Sequence, residues 1–244
     1  LFMRTDWVDT MWKRILYSPL ENRGAYVYSD LDFLFLQKMV ERVTNKSLAD
    51  YVQEEFYKPL GLKHTAFQAR KNLIGKDIAP TEQDNYFRYQ KIEGYVHDMG
   101  AAMFGGIAGH AGLFSSANEI GIIFQMLLNG GIYNGKRYFQ KSTVDLFTTK
   151  GSNISRRGLG FDKPEARGNK ANPCADNASL KTFGHQGFTG TCVWADPAHD
   201  ILIVFLSNRT YPSAENKTIN QLHVREKAQE YIYNAIGIAS RYRN

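Results

Sequence analysis

Residues 182–206 read TFGHQGFTGTCVWADPAHDILIVFL, and this stretch carries the strongest fold signal in the chain. Three runs rich in β-branched and aromatic residues, Thr182–His185, Thr191–Ala195 and Ile201–Leu206, are separated by short turns that contain Gly, Pro and Asp. Turns of this length join neighbouring antiparallel strands. The stretch therefore predicts an antiparallel meander. Because the last run is apolar on both faces, we expect it to be a central strand with helices on each side.

Helical spacing dominates the sequence before the meander. From Asp30 to Val43, apolar residues recur at intervals of three and four, which predicts a helix with one buried face. The residues predicted to form that face are Leu31, Leu34, Phe35, Met39 and Val43. Ser47 and Ser116 each begin a capping box, so each predicts the start of a further helix. After the meander, a closing helix is expected over residues 219–236. Its expected inward face comprises Leu222, Ala228, Ile232 and Ile236.

Shorter sequence patterns predict the structure of the residues between these elements. Asn134-Gly135 predicts a tight hairpin, because both residues tolerate the positive φ angles of a type I′ turn. A short helix is expected to begin at Ser142. Residues 61–104 show no period and are expected to form a long loop, and residues 150–178 are expected to form a connector.

Composition excludes several classes of protein. Of the 244 residues, 43% are apolar and 22% are charged, which is the balance of a globular chain and not of a disordered one. The net charge of +6 is scattered, with its nearest cluster at Arg241–Arg243, and this disfavours nucleic-acid binding. The longest apolar run, Ile201–Leu206, is far shorter than the roughly 18 residues of a membrane span.

The first residues and the cysteines add two expectations. The chain begins Leu1-Phe2-Met3-Arg4, with neither an initiator Met nor a signal-peptide pattern, so we expect a segment upstream. Cys174 and Cys192 could form at most one disulfide, and their spacing matches no metal or redox motif.

Two short segments carry a family resemblance: Tyr28-Ser29-Asp30 and His185-Gln186-Gly187-Phe188-Thr189-Gly190. With them, the chain resembles the serine β-lactamase and penicillin-binding protein superfamily, in particular its class C-like, esterase-like branch. Supporting segments are Tyr57–Leu62, Gly105–Ser116 and Thr191–Pro197. The similarity runs from about Tyr26 to Arg209, and the order of the motifs makes it specific although each motif alone is weak.

The resemblance implies an α/β (α+β) fold of the β-lactamase/transpeptidase type. In it, an antiparallel sheet is flanked by helices and joined by a helical subdomain. Residues 1–244 are expected to be the C-terminal part of one such domain. Residues 28–150 would form the mainly helical part, and residues 151–244 the connector, antiparallel strands and terminal helix.

The resemblance also implies a reaction, serine-dependent acyl hydrolysis of an ester or amide such as a cell-wall peptide, a short ester or a β-lactam. The family's nucleophile motif is Ser-x-x-Lys, and no Ser of this chain has Lys three residues later. Since the family places that motif upstream of its Tyr element, we expect the upstream segment of the same polypeptide to supply it. The resemblance also allows a glycoside hydrolase family 3 module further upstream, and it implies a periplasmic or secreted bacterial protein with no cofactor.

Tyr28 occupies the family's general-base position. A serine hydroxyl needs a base to accept its proton. A free phenol has a pKa near 10 and serves only if nearby cations lower it, as the Lys of Ser-x-x-Lys does in the family. Asp30 stands where the family more usually has Asn, so it brings a charge where an amide donor is expected. The alternatives are that Tyr28 is an ordinary amphipathic residue and that Asp30 only caps the helix.

His185 and Gly187 stand where the family has the Lys and Gly of its strand motif. Gly lets a substrate lie against the strand, because a Cβ there would block its approach. The backbone N–H of Phe188 is then an oxyanion-hole donor. As an imidazolium, His185 would anchor a substrate carboxylate more weakly and more pH-dependently than Lys, which favours esters or peptides over β-lactams. The alternative is a packed structural histidine.

Two rival functions remain open. The chain could be a non-catalytic binding or scaffold module of the same fold, which the absence of Ser-x-x-Lys upstream would support. It could also be a sugar-binding appendage of a glycosidase. The spacing of His97, Asp98 and His110 matches no zinc site, and hydrogen bonds that order their loop are the favoured interpretation.

Overall fold

The computed structural model describes residues 4–20, 22–166 and 172–240, so the basic cluster Arg241–Arg243 lies outside the described residues. The chain forms two compact units, residues 1–115 and residues 116–244. Within the described ranges, no helix has the length and apolar character needed to cross a membrane.

The first unit is mainly helical with short strand pairs. Its elements are α1 (Trp7–Leu16), α2 (Leu31–Thr44), α3 (Leu48–Val52), β1 (Ala66–Phe67), α4 (Ala69–Asn72), β2 (Pro80–Asp84), β3 (Gln90–Glu93), α5 (Met99–Met103) and β4 (Leu113–Phe114). The predicted cap at Ser47 is confirmed, since its Oγ accepts the Asp50 N–H at 3.1 Å. Helix α3 continues as a π-helical turn over Gln53–Tyr57.

The predicted buried face of α2 is wrong except at Leu34. Helix α2 forms where expected, and Leu34 packs with Val96, Ala101 and Ala108 in a small core. The other four predicted side chains are exposed: Leu31, Phe35, Met39 and Val43. The spacing of apolar residues identifies a helix face that another element could bury. Among the described residues, few side chains pack against this face of α2.

The region expected to be a long loop contains the antiparallel β2–β3 hairpin, which has a polar core. The Arg88 guanidinium lies 2.9 Å from an Asp84 oxygen and 3.0 Å from a Glu82 oxygen, and all three side chains are buried. The same guanidinium donates to the carbonyls of Val96 and His97. Hydropathy misses such an element because ion pairs, rather than apolar contacts, fill its interior.

The second unit contains the predicted meander. Its elements are α6 (Ala117–Leu128), β5 (Ile132–Tyr133), β6 (Lys136–Arg137), α7 (Lys141–Thr148), β7 (Phe183–Gln186), β8 (Cys192–Asp196), β9 (Ile201–Phe205), α8 (Thr218–Gln221) and α9 (Val224–Ala235). The hairpin at Asn134-Gly135 is confirmed, with positive φ at both residues. Cys174 and Cys192 are buried and form no disulfide with each other.

The three strands β7, β8 and β9 pair antiparallel in that order, with His185 opposite Val193 and Trp194 opposite Ile203. The expectation that Ile201–Leu206 is the central strand is therefore wrong, because β8 is central in the described sheet and β9 lies at its edge. Helix α6 packs against β8 and β9, and its Phe124 stacks on Phe183 of β7.

The inward face predicted for the closing helix is also wrong. Helix α9 buries Arg225, Gln229 and Tyr233, whereas three of the predicted residues are exposed: Leu222, Ile232 and Ile236. Two of these buried side chains form hydrogen bonds to distant parts of the unit. Gln229 accepts the Ala175 N–H at 2.9 Å, and the Tyr233 hydroxyl donates to Asp196 at 2.9 Å. Polar side chains can form the buried face of a helix when they have hydrogen-bond partners. The spacing of apolar residues therefore did not predict this face of α9.

Candidate active site

Tyr28 and Asp30 lie at the start of α2 in the first unit. Tyr28 precedes the helix in irregular backbone, and its side chain is 59% exposed. Asp30 occupies the N-cap position, but its side chain makes no capping hydrogen bond. Of the two roles expected for Asp30, helix capping thus lacks its characteristic bond, and the carboxylate is left for other contacts.

Those contacts involve two further residues of the same unit. Oxygen atoms of Asp30 and Asp98 and a ring nitrogen of His110 all lie within 4.8 Å of one another. His110 Nε2 is 2.9 Å from Asp98 Oδ1, which also accepts the Ala101 N–H at 2.7 Å and so caps α5. The hydrogen bonds expected to order this loop are therefore present.

The hydrogen bond between His110 and Asp98 shifts the pKa of both side chains. The hydrogen bond to Asp98 raises the pKa of His110 against the opposing effect of burial, and the charges of Asp98 and Asp30 add to the rise. The same hydrogen bond lowers the pKa of Asp98. The hydrogen bond and the two nearby carboxylates therefore favour the imidazolium form of His110.

His185 lies near the end of β7 in the second unit, with both ring nitrogens bonded. Its Nε2 is 2.7 Å from Arg157 Nη1, and its Nδ1 is 2.7 Å from the Gln186 carbonyl oxygen. A guanidinium can only donate and a carbonyl can only accept. We therefore assign a neutral imidazole with its proton on Nδ1. The sequence interpretation of His185 as an imidazolium does not match these hydrogen bonds.

Arg157 supplies the positive charge at this strand end. Its Nη2 lies 3.0 Å from Asp162 Oδ2, and its side chain is about one-fifth exposed. The neighbouring Arg156 donates to both carboxylate oxygens of Asp162, so the two arginines share this aspartate. Arg157 was not predicted from the sequence, because it lies in the aperiodic connector and nothing in the sequence pairs it with a strand 28 residues later.

Gly187 and Phe188 form the turn between β7 and β8. The Gly187 N–H donates to the Thr191 carbonyl at 2.8 Å, and a Cβ at Gly187 would overlap the Thr191 hydroxyl. Close approach of Thr191 is thus one reason for glycine here, while approach by a substrate stays a prediction. The Arg209 guanidinium donates to the Phe188 carbonyl at 2.8 Å and lies 4.4 Å from the Phe188 ring centre.

The structure therefore gathers the candidate residues into two groups, one in each unit. Tyr28 and Asp30 belong to the first unit with Asp98 and His110, and His185, Gly187 and Phe188 belong to the second with Arg157 and Arg209. The second group combines fixed cations with hydrogen-bonding backbone, which suits the binding of an anionic or carbonyl-bearing ligand, whereas the first group places two carboxylates beside one histidine.

Comparison with known proteins decides the family. The family model described as Beta-lactamase matches residues 2–226. The chain belongs to the Beta-lactamase family. The resemblance inferred from the motifs, and the β-lactamase/transpeptidase-like fold that it implied, are both confirmed.

Curated relatives of this Beta-lactamase-family chain are named as D-alanyl-D-alanine carboxypeptidases. One from Salmonella gallinarum is 36% identical over 228 residues, covering 87% of this chain and 52% of the relative. One from Escherichia coli is 37% identical over 208 residues, covering 80% of this chain and 48% of the relative. The chain spans about half the length of these relatives.

Solved structures share the Beta-lactamase fold at low identity. A β-lactamase from Mycobacterium bovis has a TM-score of 0.58 at 18% identity, over 87% of this chain and 65% of that one. Simvastatin synthase from Aspergillus terreus has a TM-score of 0.63 at 17% identity, over 93% of this chain and 61% of that one.

Two buried groups of this Beta-lactamase-family chain are poor candidates for its nucleophile and base. Burial raises the pKa of the Cys192 thiol to about 11, so the reactive thiolate is scarce at neutral pH. Lys163 Nζ donates to the backbone carbonyls of Thr148 and Thr182 at 2.8 and 3.0 Å. Burial lowers the pKa of Lys163, but its carbonyl contacts assign it to the connector's structure.

Proposed function

We propose that the protein to which this chain belongs is a serine hydrolase that acts through an acyl-enzyme on an ester or amide. The observation that carries this proposal is the family match over residues 2–226. The matched range includes the family's second and third motifs, at Tyr28 and His185. In this proposal Tyr28 accepts the serine proton, and the Phe188 N–H is one donor to the developing oxyanion.

The nucleophile is proposed to come from the upstream segment of the same polypeptide, because no Ser-x-x-Lys exists in residues 1–244. Two exposed surfaces support a segment that packs against this chain. Helix α2 exposes an apolar stripe with Phe35 at 38%, Met39 at 61% and Val43 at 84% exposure. Strand β9 has an edge without a neighbour in the described sheet. Uncovered apolar stripes and strand edges are both costly in isolation.

The substrate is proposed to be an acyl compound with a free carboxylate, as in a cell-wall peptide that ends in D-alanine. Support comes from the names of the curated relatives and from Arg157, whose guanidinium lies next to the strand motif. Guanidinium groups bind carboxylates through paired, charge-assisted hydrogen bonds. With such a substrate, the proposed location is the periplasm or the outside of the cell. A glycoside hydrolase family 3 module in the same polypeptide stays a prediction.

A covalent-labelling experiment tests the proposal. The 244-residue chain should form no adduct with penicillin or an active-ester probe. The same chain extended by its natural upstream sequence should gain one acyl group on the serine of a Ser-x-x-Lys. Mass spectrometry of intact protein and peptides reads both outcomes. A stable adduct on a serine of residues 1–244 would contradict the assignment of the nucleophile. An upstream sequence that lacks Ser-x-x-Lys would favour the non-catalytic module.

A further inference from the structure

The Asp98–His110 pair and Asp30 form a group that the proposed mechanism has not yet used. The His110 side chain is only 7% exposed, and its Nδ1 is buried without a hydrogen-bond partner among the described residues. Its Nε2 is bonded to Asp98, which in turn is fixed by the Ala101 N–H. The imidazole is thus held from one side, while the Asp30 carboxylate lies within 4.8 Å of the pair.

The backbone that carries His110 is clamped onto α2. Gln37 accepts the Gly109 N–H at 3.0 Å and donates to the Ile107 carbonyl at 3.4 Å. A Cβ at Gly109 would overlap the Phe33 carbonyl oxygen, so only glycine allows the loop to lie this close to the first turn of the helix. His110 is therefore kept next to the helix start that bears Asp30.

Position 30 poses an electrostatic problem for a general base at Tyr28. A carboxylate two residues away disfavours the phenolate form that accepts the serine proton. The amide that the family more usually has at this position carries no such charge. A cation held close to Asp30 offsets the repulsion and fixes the direction of the carboxylate.

We propose that His110, held by Asp98, is a positioning residue that compensates and orients the Asp30 carboxylate beside Tyr28. The inference rests on the proposed function for its catalytic consequence, but its electrostatic part concerns only residues of the first unit. The charged and titratable groups around the imidazole are Asp30 from the start of α2 and Asp98 from the start of α5. His97 acts on Asp98, and Glu82 lies 3.5 Å from His97.

The first test is an NMR titration of the His110 ring in the 244-residue chain. Asp30→Asn should lower the midpoint by about 0.5 pH unit or more, because an opposite charge nearby favours the imidazolium. Asp98→Asn should lower it further, since Asp98 also accepts the hydrogen bond. An unchanged midpoint in Asp30→Asn would overturn the coupling, whatever the enzyme's activity proves to be.

The second test is a double-mutant cycle on kcat/KM for a neutral ester, in the polypeptide that includes its upstream sequence. His110→Gln keeps a donor for Asp98 but no charge, and it should lower kcat/KM about tenfold in the Asp30 background. In the Asp30→Asn background the same change should matter less than about twofold. The Asp30 protein should also lose activity as pH rises past the His110 midpoint, and Asp30→Asn should not show that loss.

Three outcomes separate this inference from its alternatives. An equal loss from His110→Gln in both backgrounds would assign His110 a purely structural role and overturn the proposal. His199→Gln is the matched control, since it removes a 2.8 Å histidine–aspartate pair in the second unit and should leave kcat/KM unchanged. If Tyr28→Phe is inactive while the cycle shows no coupling, the function stands and the inference fails. If the NMR coupling holds but no ester is hydrolysed, the proposed function fails instead.

Discussion

His185 Nε2 accepts a hydrogen bond from Arg157 Nη1 at 2.7 Å, and this contact determines which residue carries charge at the strand motif. The imidazole also donates from Nδ1 to the Gln186 carbonyl, so both of its nitrogens are used in the neutral form. A guanidinium keeps its charge at every physiological pH. We therefore expect Arg157 to anchor a substrate carboxylate in the proposed reaction, with His185 as its support.

Arg157→Gln should raise KM for a carboxylate-bearing substrate about tenfold and leave KM for the matched neutral ester nearly unchanged, because a charge-assisted bond is lost. In the unmodified protein, KM for the acidic substrate should stay flat between pH 5 and 8. The measurement is KM against pH for the two substrates. Arg156→Gln is the control, since Arg156 pairs with Asp162 and Glu165 instead of His185. A KM that rises with pH for the acidic substrate alone would return the role to an imidazolium at His185.

Tyr28→Phe should lower turnover of a simple ester by about 10²-fold, which is the usual effect of losing a general base. Its folding should change little, since the side chain is 59% exposed. Tyr26→Phe removes a similarly exposed hydroxyl two residues earlier and should retain full turnover. Comparable rates in all three proteins would show that Tyr28 has a structural role only.

Acid should destabilise both units through buried aspartates. Burial alone would raise the pKa of Asp84, but the Arg88 guanidinium and three backbone N–H groups hold it at about 2. Burial likewise opposes the hydrogen bonds from Ser179, His199 and Tyr233 that hold the pKa of Asp196 at about 2. An unfolded aspartate has a pKa near 3.9. Each aspartate therefore contributes stability fully above about pH 4, and that contribution is lost as pH falls through about 2.

Urea unfolding between pH 2 and 7 measures this effect. Asp84→Asn should reduce the free energy of unfolding at pH 7 by about 1–3 kcal/mol, because the buried Arg88 loses one of its two carboxylate partners. It should also make the decline below pH 4 shallower. Asp145→Asn removes an exposed pair with Lys141 and is the control, for which little change is expected. An unaltered pH profile in Asp84→Asn would contradict the assignment.

Gly109→Ala should destabilise the first unit by about 1–3 kcal/mol, because the new Cβ overlaps the Phe33 carbonyl and neither backbone can yield easily. Gly121→Ala is the matched control, since no atom lies within 4 Å of its added Cβ inside α6. That change should stabilise the protein by up to about 1 kcal/mol through helix propensity. Thermal unfolding of the two variants should therefore shift in opposite directions, and equal shifts would show that the loop around His110 is free to move.

The sequence by itself determined the elements whose signals are local. The capping serines Ser47 and Ser116, the Asn134-Gly135 turn and the three strands of the meander all follow from short-range hydrogen bonding and side-chain alternation. Motif order alone also identified the family. The sequence predicts these elements because each depends mainly on residues that lie close together along the chain.

Only the tertiary structure decided which faces are buried and which charges meet. Helix α9 buries Gln229 and Tyr233 instead of its apolar residues, because the Ala175 N–H bonds to the Gln229 oxygen and Asp196 accepts the Tyr233 hydroxyl. Arg157 reaches His185 across 28 residues of sequence, and His110 lies near Asp30 on a loop whose Gly109 packs on Phe33. Local sequence patterns do not predict such partners. A buried polar group is stabilised by the groups that the fold brings next to it, and these can be distant in the sequence.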